Sequence, residues 1–253
     1  MRRNQMTGHQ KRKLLGLLRK YKDVYVGKAS HCLRFLAAVH WLNRTGAQWR
    51  ELARRFGPWN SVYKRYARWC EKGIWERLHR DSSQDPDREN LLIDSTVIRA
   101  HACAAGAPHK RGGQAAQALG RSRGGFSSKI HLAVEGLGNS LRFLLTAGQR
   151  HDRSQAEALI AGFAFDHLIG DKAYDDDAFR QHVAAQGAQA VIPPRANRTQ
   201  DYDYDRHLYK ERHLVECFIN KLKYYRRIFS RFDKLASRYL GFLYFAGALL
   251  WLR

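Results

Sequence analysis

Apolar residues recur every three or four positions through the first third of the chain, a spacing that predicts helices. One helix is predicted at residues 11–21, and others at 33–46, 47–57, 60–73 and 74–81. Gly46, Gly57 and Gly73 stand where these helices would end, and Asn60 or Ser61 would cap the one at 60–73. Short helices in this order are typical of a helix-turn-helix domain, which we place at residues 1–80.

The predicted helix at 60–73 has one basic face and one apolar face. Val62, Tyr66 and Trp69 fall on the apolar face at 100° per residue. The pattern favours a recognition helix that enters the major groove, while contact with phosphates alone, or plain exposure, would give the same face. The polar face consists of Ser61, Lys64, Arg65, Arg68 and Lys72.

After a polar linker at residues 81–90, the pattern changes to short extended runs. Strands are predicted at 91–98, 128–135 and 139–146, the last two joined by a turn at 136–138. Residues 104–127 form a long loop rich in Gly, Ala, Gln and Arg, and loops of this length are usually functional or disordered. Four cations in it make contact with nucleic acid plausible: Lys110, Arg111, Arg121 and Arg123.

The remaining pattern alternates helices and strands. A helix at 153–164 precedes a strand at 165–171, and a helix at 175–186 precedes a strand at 189–194. Helices at 209–223 and 234–253 finish the chain. Three strands followed by helix-strand repeats predict an α/β domain at 91–253 with the ribonuclease H fold, a mixed sheet flanked by helices.

Three carboxylates fall where this topology would bring elements together. Asp94 lies within an apolar strand, where an unpaired charge is costly. Asp171 ends the fourth strand, and Glu216 lies on the helix at 209–223. Clustered carboxylates repel one another unless cations lie between them, and oxygen ligands favour Mg²⁺ or Mn²⁺. Each carboxylate could instead belong to a structural ion pair.

The helix at 209–223 carries Glu216 on a basic face. Arg212 and Lys223 lie on the same face as Glu216, opposite Val215 and Phe218. A charged row on a helix is usually its solvated side, with pairs such as Arg212 and Glu216 contributing only a few tenths of a kcal/mol.

Composition narrows the class of partner. The 253 residues include 45 Lys and Arg against 23 Asp and Glu, a formal net charge of +22, which indicates a polyanionic partner such as nucleic acid. The four cysteines lack CxxC spacing, which argues against a zinc knuckle or a disulfide framework. The apolar run at 240–252 is too short to span a bilayer, so we expect a cytoplasmic protein without membrane contact.

The chain resembles DDE transposases of the bacterial insertion-sequence families four and five. The resemblance is carried by the motifs IDSTVIRAH (93–101), GRSRGGFSSKIHL (120–132), TAGQRHD (146–152), IGDKAYDDDAFR (169–180) and VIPPR (191–195), and by the signature Tyr-x2-Arg-x3-Glu-x6-Lys. Tyr209, Arg212, Glu216 and Lys223 fill that signature.

The resemblance implies an enzyme that cuts DNA at the ends of an insertion sequence and joins the 3′ hydroxyls to target DNA. It implies two Mg²⁺ or Mn²⁺ ions held by Asp94, Asp171 and Glu216. It also implies double-stranded DNA as partner, a homodimer on that DNA, and a bacterial, nucleoid-associated location. Tyr209, Arg212 and Lys223 would contact DNA, as would the cations that follow, Arg226 and Arg227.

Two rival functions stay open. A catalytically inert DNA-binding regulator derived from a transposase would keep the helix-turn-helix and lose the reaction. A stand-alone structure-directed nuclease would cut junctions rather than element ends.

Overall fold

The computed structural model describes residues 5–83, 86–107, 113, 115–122, 124–198 and 202–253. Its helices, numbered along the chain, are α1 Gly8–Lys20, α2 Ala29–Thr45, α3 Trp59–Glu71, α4 Ile74–Ser82, α5 Ala156–Ile160, α6 Asp177–Ala184, α7 Arg206–Tyr209, α8 His213–Lys223, α9 Arg226–Phe229 and α10 Ala236–Trp251. Its strands are β1 Asn90–Ala100, β2 Gly120–Ser122, β3 Gly125–Glu135, β4 Ser140–Ala147, β5 His167–Ile169, β6 Gln189–Val191 and β7 Ser230–Arg231.

The chain divides into two compact units. A helical unit comprises Met1–Gln84, Arg99–Gln117 and Leu222–Arg253, and a sheet unit comprises Asp85–Ile98 and Ala118–Lys221. The division at 81–90 inferred from the sequence stays a prediction. In the structure, the C-terminal segment packs with the N-terminal helices as part of one unit.

Helix α10 provides the centre of the helical unit. It is apolar on nearly every side and packs against α2, α3 and α4. The Tyr66 ring stacks on Phe242 with ring centroids 4.6 Å apart, and the Tyr66 hydroxyl donates to the Arg238 carbonyl at 2.5 Å. Gln10 and Asn43 donate to the carbonyls of Leu249 and Phe242. These bonds satisfy polar groups that would otherwise be costly to bury.

The helix predicted at 47–57 is wrong. Two 3₁₀ turns, Trp49–Glu51 and Arg54–Phe56, stand there, and Leu52 between them has ψ of 123°. Leu52 is buried and Trp49 packs edge-on against Tyr63, so packing outweighs local helix propensity. Helix α3 begins at Trp59 behind Pro58, so neither Asn60 nor Ser61 caps it.

The sheet unit has the predicted ribonuclease H-like fold. The strand order is β2-β3-β1-β5-β6, with β4 also paired to β3. Strand β3 is antiparallel to β4, whereas β1, β5 and β6 are parallel, in the registers Leu92↔Ile169 and Ile169↔Val191. The sequence did not predict β2, which pairs with the start of β3, or β7, which pairs with the end of β1 inside the helical unit.

Alternation along β1 separates the core from the candidate site. Leu91 and Ile93 belong to a buried cluster with Leu159, Leu168 and Phe179. Because successive strand residues point to opposite faces, Asp94 lies on the other face from Ile93. The segments predicted as helices at 153–164 and 209–223 are shorter than expected. They contain α5 and α8, each preceded by a 3₁₀ turn.

Candidate active site

Asp94 is a buried carboxylate in the middle of β1. It is 8% exposed, accepts the Ser95 backbone N–H at 2.7 Å, and accepts Arg212 Nη2 at 3.1 Å. Burial raises the pKa of Asp94 to about 6, and the negative charges of Asp171 and Asp152 act in the same direction. The Ser95 N–H and the Arg212 charge lower that pKa but do not outweigh burial.

Asp171 lies two residues beyond β5. Its carboxylate accepts the Ala173 N–H at 2.7 Å and caps the 3₁₀ turn Lys172–Tyr174. Strands β1 and β5 pair in parallel with Leu92 opposite Ile169. Asp94 is two residues beyond Leu92 within β1, and Asp171 is two residues beyond Ile169 in the segment that follows β5. The charge of Asp171 acts on Asp94, so the two carboxylates lie near each other.

Glu216 faces solvent on the first turn of α8, while Val215 and Phe218 on the opposite side are buried. Arg212 Nη1 donates to Glu216 Oε1 at 2.5 Å. The same guanidinium binds Asp94 through Nη2. One arginine therefore lies between the first and third predicted carboxylates.

The donor chemistry of the site fits a divalent cation. Carboxylate oxygens are hard ligands, and the pKa of Asp94 is raised partly because Asp171 is near, a repulsion that a bound cation would relieve. Among the residues that the structure describes, no group of three or more His, Cys, Asp or Glu is arranged to hold a metal. The convergence of all three carboxylates on metal therefore stays a prediction.

Asp152 is a further acid that was assigned no role from the sequence. Its Oδ1 accepts the Ser95 hydroxyl at 2.7 Å and Lys129 Nζ at 2.5 Å. Burial would raise the pKa of Asp152, but the hydrogen bonds from Lys129 and Ser95 lower it overall. Both Lys129 and Asp152 lie within motifs that carry the family resemblance, which was the signal available for them.

Tyr174 lies among the aspartates. Its ring is fully buried in the core of the sheet unit, and its hydroxyl has no hydrogen-bond partner among the described residues. Burial raises the pKa of Tyr174, and the charges of Asp94, Asp152 and Asp171 raise it further. The hydroxyl is therefore a neutral donor at physiological pH.

His131 stands on β3 beside Lys129 and is fully buried. Its Nε2 bonds the Thr146 hydroxyl at 2.8 Å, and burial lowers its pKa to about 4. The imidazole is therefore neutral at physiological pH, and it is unsuited to pair with a phosphate.

The predicted recognition face lines a single groove of the helical unit, with a volume of about 390 Å³. Arg65 is partly buried, and its guanidinium lies 4.5 Å from the Phe35 ring centroid and 5.1 Å from that of Trp69. Lys64 and Arg68 are exposed and make no ion pair within the described ranges. The groove contains all five predicted residues, Ser61, Lys64, Arg65, Arg68 and Lys72.

The other predicted DNA contacts differ in availability. Arg227 is 3% exposed and its guanidinium is bound to Asp233 at 3.0 Å, so in this structure it is not available to a phosphate. Tyr209 is partly buried and packs edge-on against Tyr204. Arg121, Lys223 and Arg226 are exposed. The predictions on Lys110, Arg111 and Arg123 lie outside the described residues.

Within the described part of the chain, no helix has the length and apolar character needed to cross a membrane.

Comparison with known proteins identifies the family. A family described as "Transposase DDE domain" matches residues 85–251, and one described as "Putative transposase of IS4/5 family" matches residues 11–79. The chain is 41% identical over 129 residues to the "Putative transposase for insertion sequence element IS6501" of Brucella ovis, which covers 50% of this chain and 99% of that protein.

Two further likenesses are weaker. An uncharacterised protein, y4sN of Sinorhizobium fredii, is 42% identical over 80 residues, which are 32% of this chain and 64% of that protein. A solved piggyBac transposase synaptic complex with hairpin DNA has a TM-score of 0.41 and 10% identity, and the match covers 77% of this chain and 50% of that one. The match to residues 85–251, most of the sequence, together with the match to residues 11–79, shows that the chain belongs to the family of DDE transposases of the IS4/5 type.

Proposed function

We propose that this transposase binds the ends of an insertion sequence, cleaves the DNA there and joins the freed 3′ hydroxyls to target DNA. The observation that carries the proposal is the buried Asp94 carboxylate, which lies near Asp171 just beyond β5 and is bonded to Arg212 beside Glu216. A raised pKa on a buried acid with charged neighbours is typical of a functional site.

In this proposal, Asp94, Asp171 and Glu216 would hold two Mg²⁺ or Mn²⁺ ions. The ions would supply Lewis-acid stabilisation of the phosphoryl group and a nucleophile at neutral pH. The chain's own residues bind and orient the DNA. Asp94 is held within β1, and the Asp171 carboxylate is held two residues beyond β5 by its bond to the Ala173 N–H.

Arg212 has a second proposed role on DNA. It now neutralises Asp94 and Glu216, and a phosphate would compete for the same guanidinium, because guanidinium groups bind phosphate in a bidentate manner. Lys223 and Tyr209 would grip the strand next to the cleaved bond. Duplex DNA would dock on the groove formed by α3, with Lys64 and Arg68 on its phosphates. A homodimer would hold two ends together.

Single substitutions of Asp94, Asp171 and Glu216 by Ala test the proposal. Each should abolish cleavage of a labelled element end in Mg²⁺ while leaving affinity for that end nearly unchanged, because each removes a metal ligand and none removes a DNA contact. Glu157→Ala is the matched control, an exposed acid on α5 paired with Arg153. Cleavage at the control's rate by any of the three would remove that residue from the site.

One observation favours the inert regulator. Arg212 bridges two of the three carboxylates, as it would in a site kept only as an ion pair. The same assay separates the two functions. If the protein is a regulator, the wild type would bind the element ends but would cleave nothing in either Mg²⁺ or Mn²⁺.

A further inference from the structure

The helical unit contains an aromatic cavity that the proposed reaction does not use. Its volume is about 510 Å³, within the range of small-molecule and cofactor sites. The walls come from the first 3₁₀ turn, from α3 and from the segment between β7 and α10. Four aromatic side chains line it: Trp49, Trp59, Tyr63 and Phe232.

The charges at this cavity are unequal. Arg227 is bound to Asp233, the cavity's only lining acid among the described residues, and this pair neutralises both charges. Arg238 is bound to Glu71 at 2.6 Å. Arg50 and Lys234 remain, both exposed and without an ion pair in the part of the chain that the structure describes. The cavity therefore presents a surplus of positive charge.

One of these two cations stands beside an aromatic wall. The Arg50 guanidinium lies 5.7 Å from the centroid of the Trp59 ring. The Tyr63 hydroxyl and the Gln48 amide also line the cavity, and neither side chain has a hydrogen-bond partner among the described residues. Both groups can donate and accept hydrogen bonds. Aromatic faces, unpaired cations and two-way hydrogen-bonding groups thus occur together.

We propose that this cavity binds an unstacked nucleotide of the DNA, with its base on the aromatic walls and its phosphate on Arg50 or Lys234. Base stacking on aromatic side chains and phosphate pairing are the two interactions by which proteins hold single strands. An acidic peptide would use the cations and leave the aromatic faces empty, and an apolar ligand would do the reverse. This inference rests on the proposed function only in taking DNA as the ligand.

The site is separate from the basic groove, although both use α3. Trp59 and Tyr63 are one helical turn apart on the side of α3 that lines the cavity. Lys64 and Arg68 are likewise one turn apart and line the groove. Substitutions can therefore address duplex docking and base binding independently.

The experiment compares the affinity of the full chain for a blunt DNA duplex and for the same duplex with a short oligothymidine tail. The wild type should bind the tailed duplex more tightly. Trp59→Leu keeps an apolar side chain but removes the large stacking face, so it should reduce this preference by about tenfold. Arg50→Gln combined with Lys234→Gln should also reduce it, and both residues are exposed, so folding should be unaffected. Thermal unfolding verifies each variant.

The control is Lys64→Ala combined with Arg68→Ala, which should weaken binding of both duplexes equally and leave the preference unchanged. If this control alters neither affinity, the proposal that the duplex docks on the groove of α3 is wrong. Nucleotide binding in the cavity is still tested by the preference for the tailed duplex. Equal wild-type affinity for blunt and tailed duplexes would overturn the inference. An unchanged preference for the tailed duplex in both the Trp59 variant and the Arg50/Lys234 variant would also overturn it.

Discussion

The buried charge of Asp94 costs the fold stability at neutral pH. The pKa of Asp94 is about 6 in the folded state against 3.8 for a freely solvated aspartate. Above pH 6 the residue is therefore ionised in both the folded and unfolded states, and burial penalises the folded one. As pH falls from about 6 towards 3.8, the folded state takes up its proton first and the penalty disappears. Its full size is about 3 kcal/mol at most.

Asp94→Asn should therefore raise the thermal midpoint by a few degrees at about pH 8, where the penalty is complete, and by less at about pH 5. Differential scanning calorimetry of both proteins over that range measures the difference. A destabilised variant at the higher pH would show that the bond to Arg212 outweighs burial, contrary to the direction of the pKa shift.

Arg212 occupies a cation position between Asp94 and Glu216. Replacing it by Gln should leave two carboxylates unneutralised, so Mn²⁺ should stabilise the DNA-free variant at about tenfold lower concentration than the wild type. Thermal shift over a Mn²⁺ titration measures this. Arg153→Gln is a matched control, since Arg153 also bridges two carboxylates, Asp176 and Glu157. Identical Mn²⁺ responses of the two variants would count against a special role for Arg212.

The burial of Asp94 could be predicted from the sequence, because local context is enough for it. Asp94 stands out because it interrupts an apolar strand, and that reasoning needs only its neighbours. Asp152 and Tyr174 are brought near Asp94 by tertiary packing, which no local sequence pattern shows. The burial of Arg227 could not be predicted from its neighbours either. A basic run predicts exposed cations, whereas the ion pair with Asp233, six residues later, allows this arginine to be buried.

At the scale of elements, strong periodicity and glycine punctuation predicted α2, α3 and α10 within a few residues. The segment at 47–57 has the same punctuation, yet it forms two 3₁₀ turns. This segment would make only about three helical turns, and the packing of Trp49 against Tyr63 outweighs its local helix propensity. The conformation of a short segment is set mainly by its tertiary packing, which the local sequence does not show.

Two glycines of the helical unit should respond oppositely to alanine. Gly46 ends α2 with φ of 70°, and an added Cβ would come 3.1 Å from the Arg226 Cβ, so Gly46→Ala should destabilise the protein by about 1 kcal/mol or more. Gly16 lies within α1 with nothing near its missing Cβ, so Gly16→Ala should stabilise by about 0.5–1 kcal/mol. Urea denaturation measures both, and changes of the same sign would contradict the helix-end argument.

At the scale of the molecule, the order of strands and helices along the chain predicted the fold of the sheet unit. Crossover rules leave few topologies for this succession of elements. The helical unit could not be predicted in the same way. Its central helix, α10, is more than 150 residues from α4 in sequence, and no local signal states that the two will pack together. Hydrophobicity showed that α10 is buried but not which partner covers it.

A fragment of residues 1–83 should therefore fail to fold, although the sequence alone predicts a domain at 1–80. The fragment would lose Phe242, Leu243 and Phe245, all fully buried, each contributing about 2 kcal/mol by burial. It would also leave the Tyr66 hydroxyl without the Arg238 carbonyl. Because a small domain is stable by only about 5–15 kcal/mol, losses of this size remove cooperative folding.

The decisive comparison joins residues 1–83 to 222–253 through a flexible linker. The fusion restores α10 and should show a cooperative thermal transition by circular dichroism, whereas the fragment 1–83 should show a shallow, non-cooperative one. A cooperative transition in the fragment alone would mean that α1 to α4 form their own core and that α10 only covers it. The predicted boundary at residue 80 would then describe a true folding unit, and α10 would belong energetically to the rest of the chain.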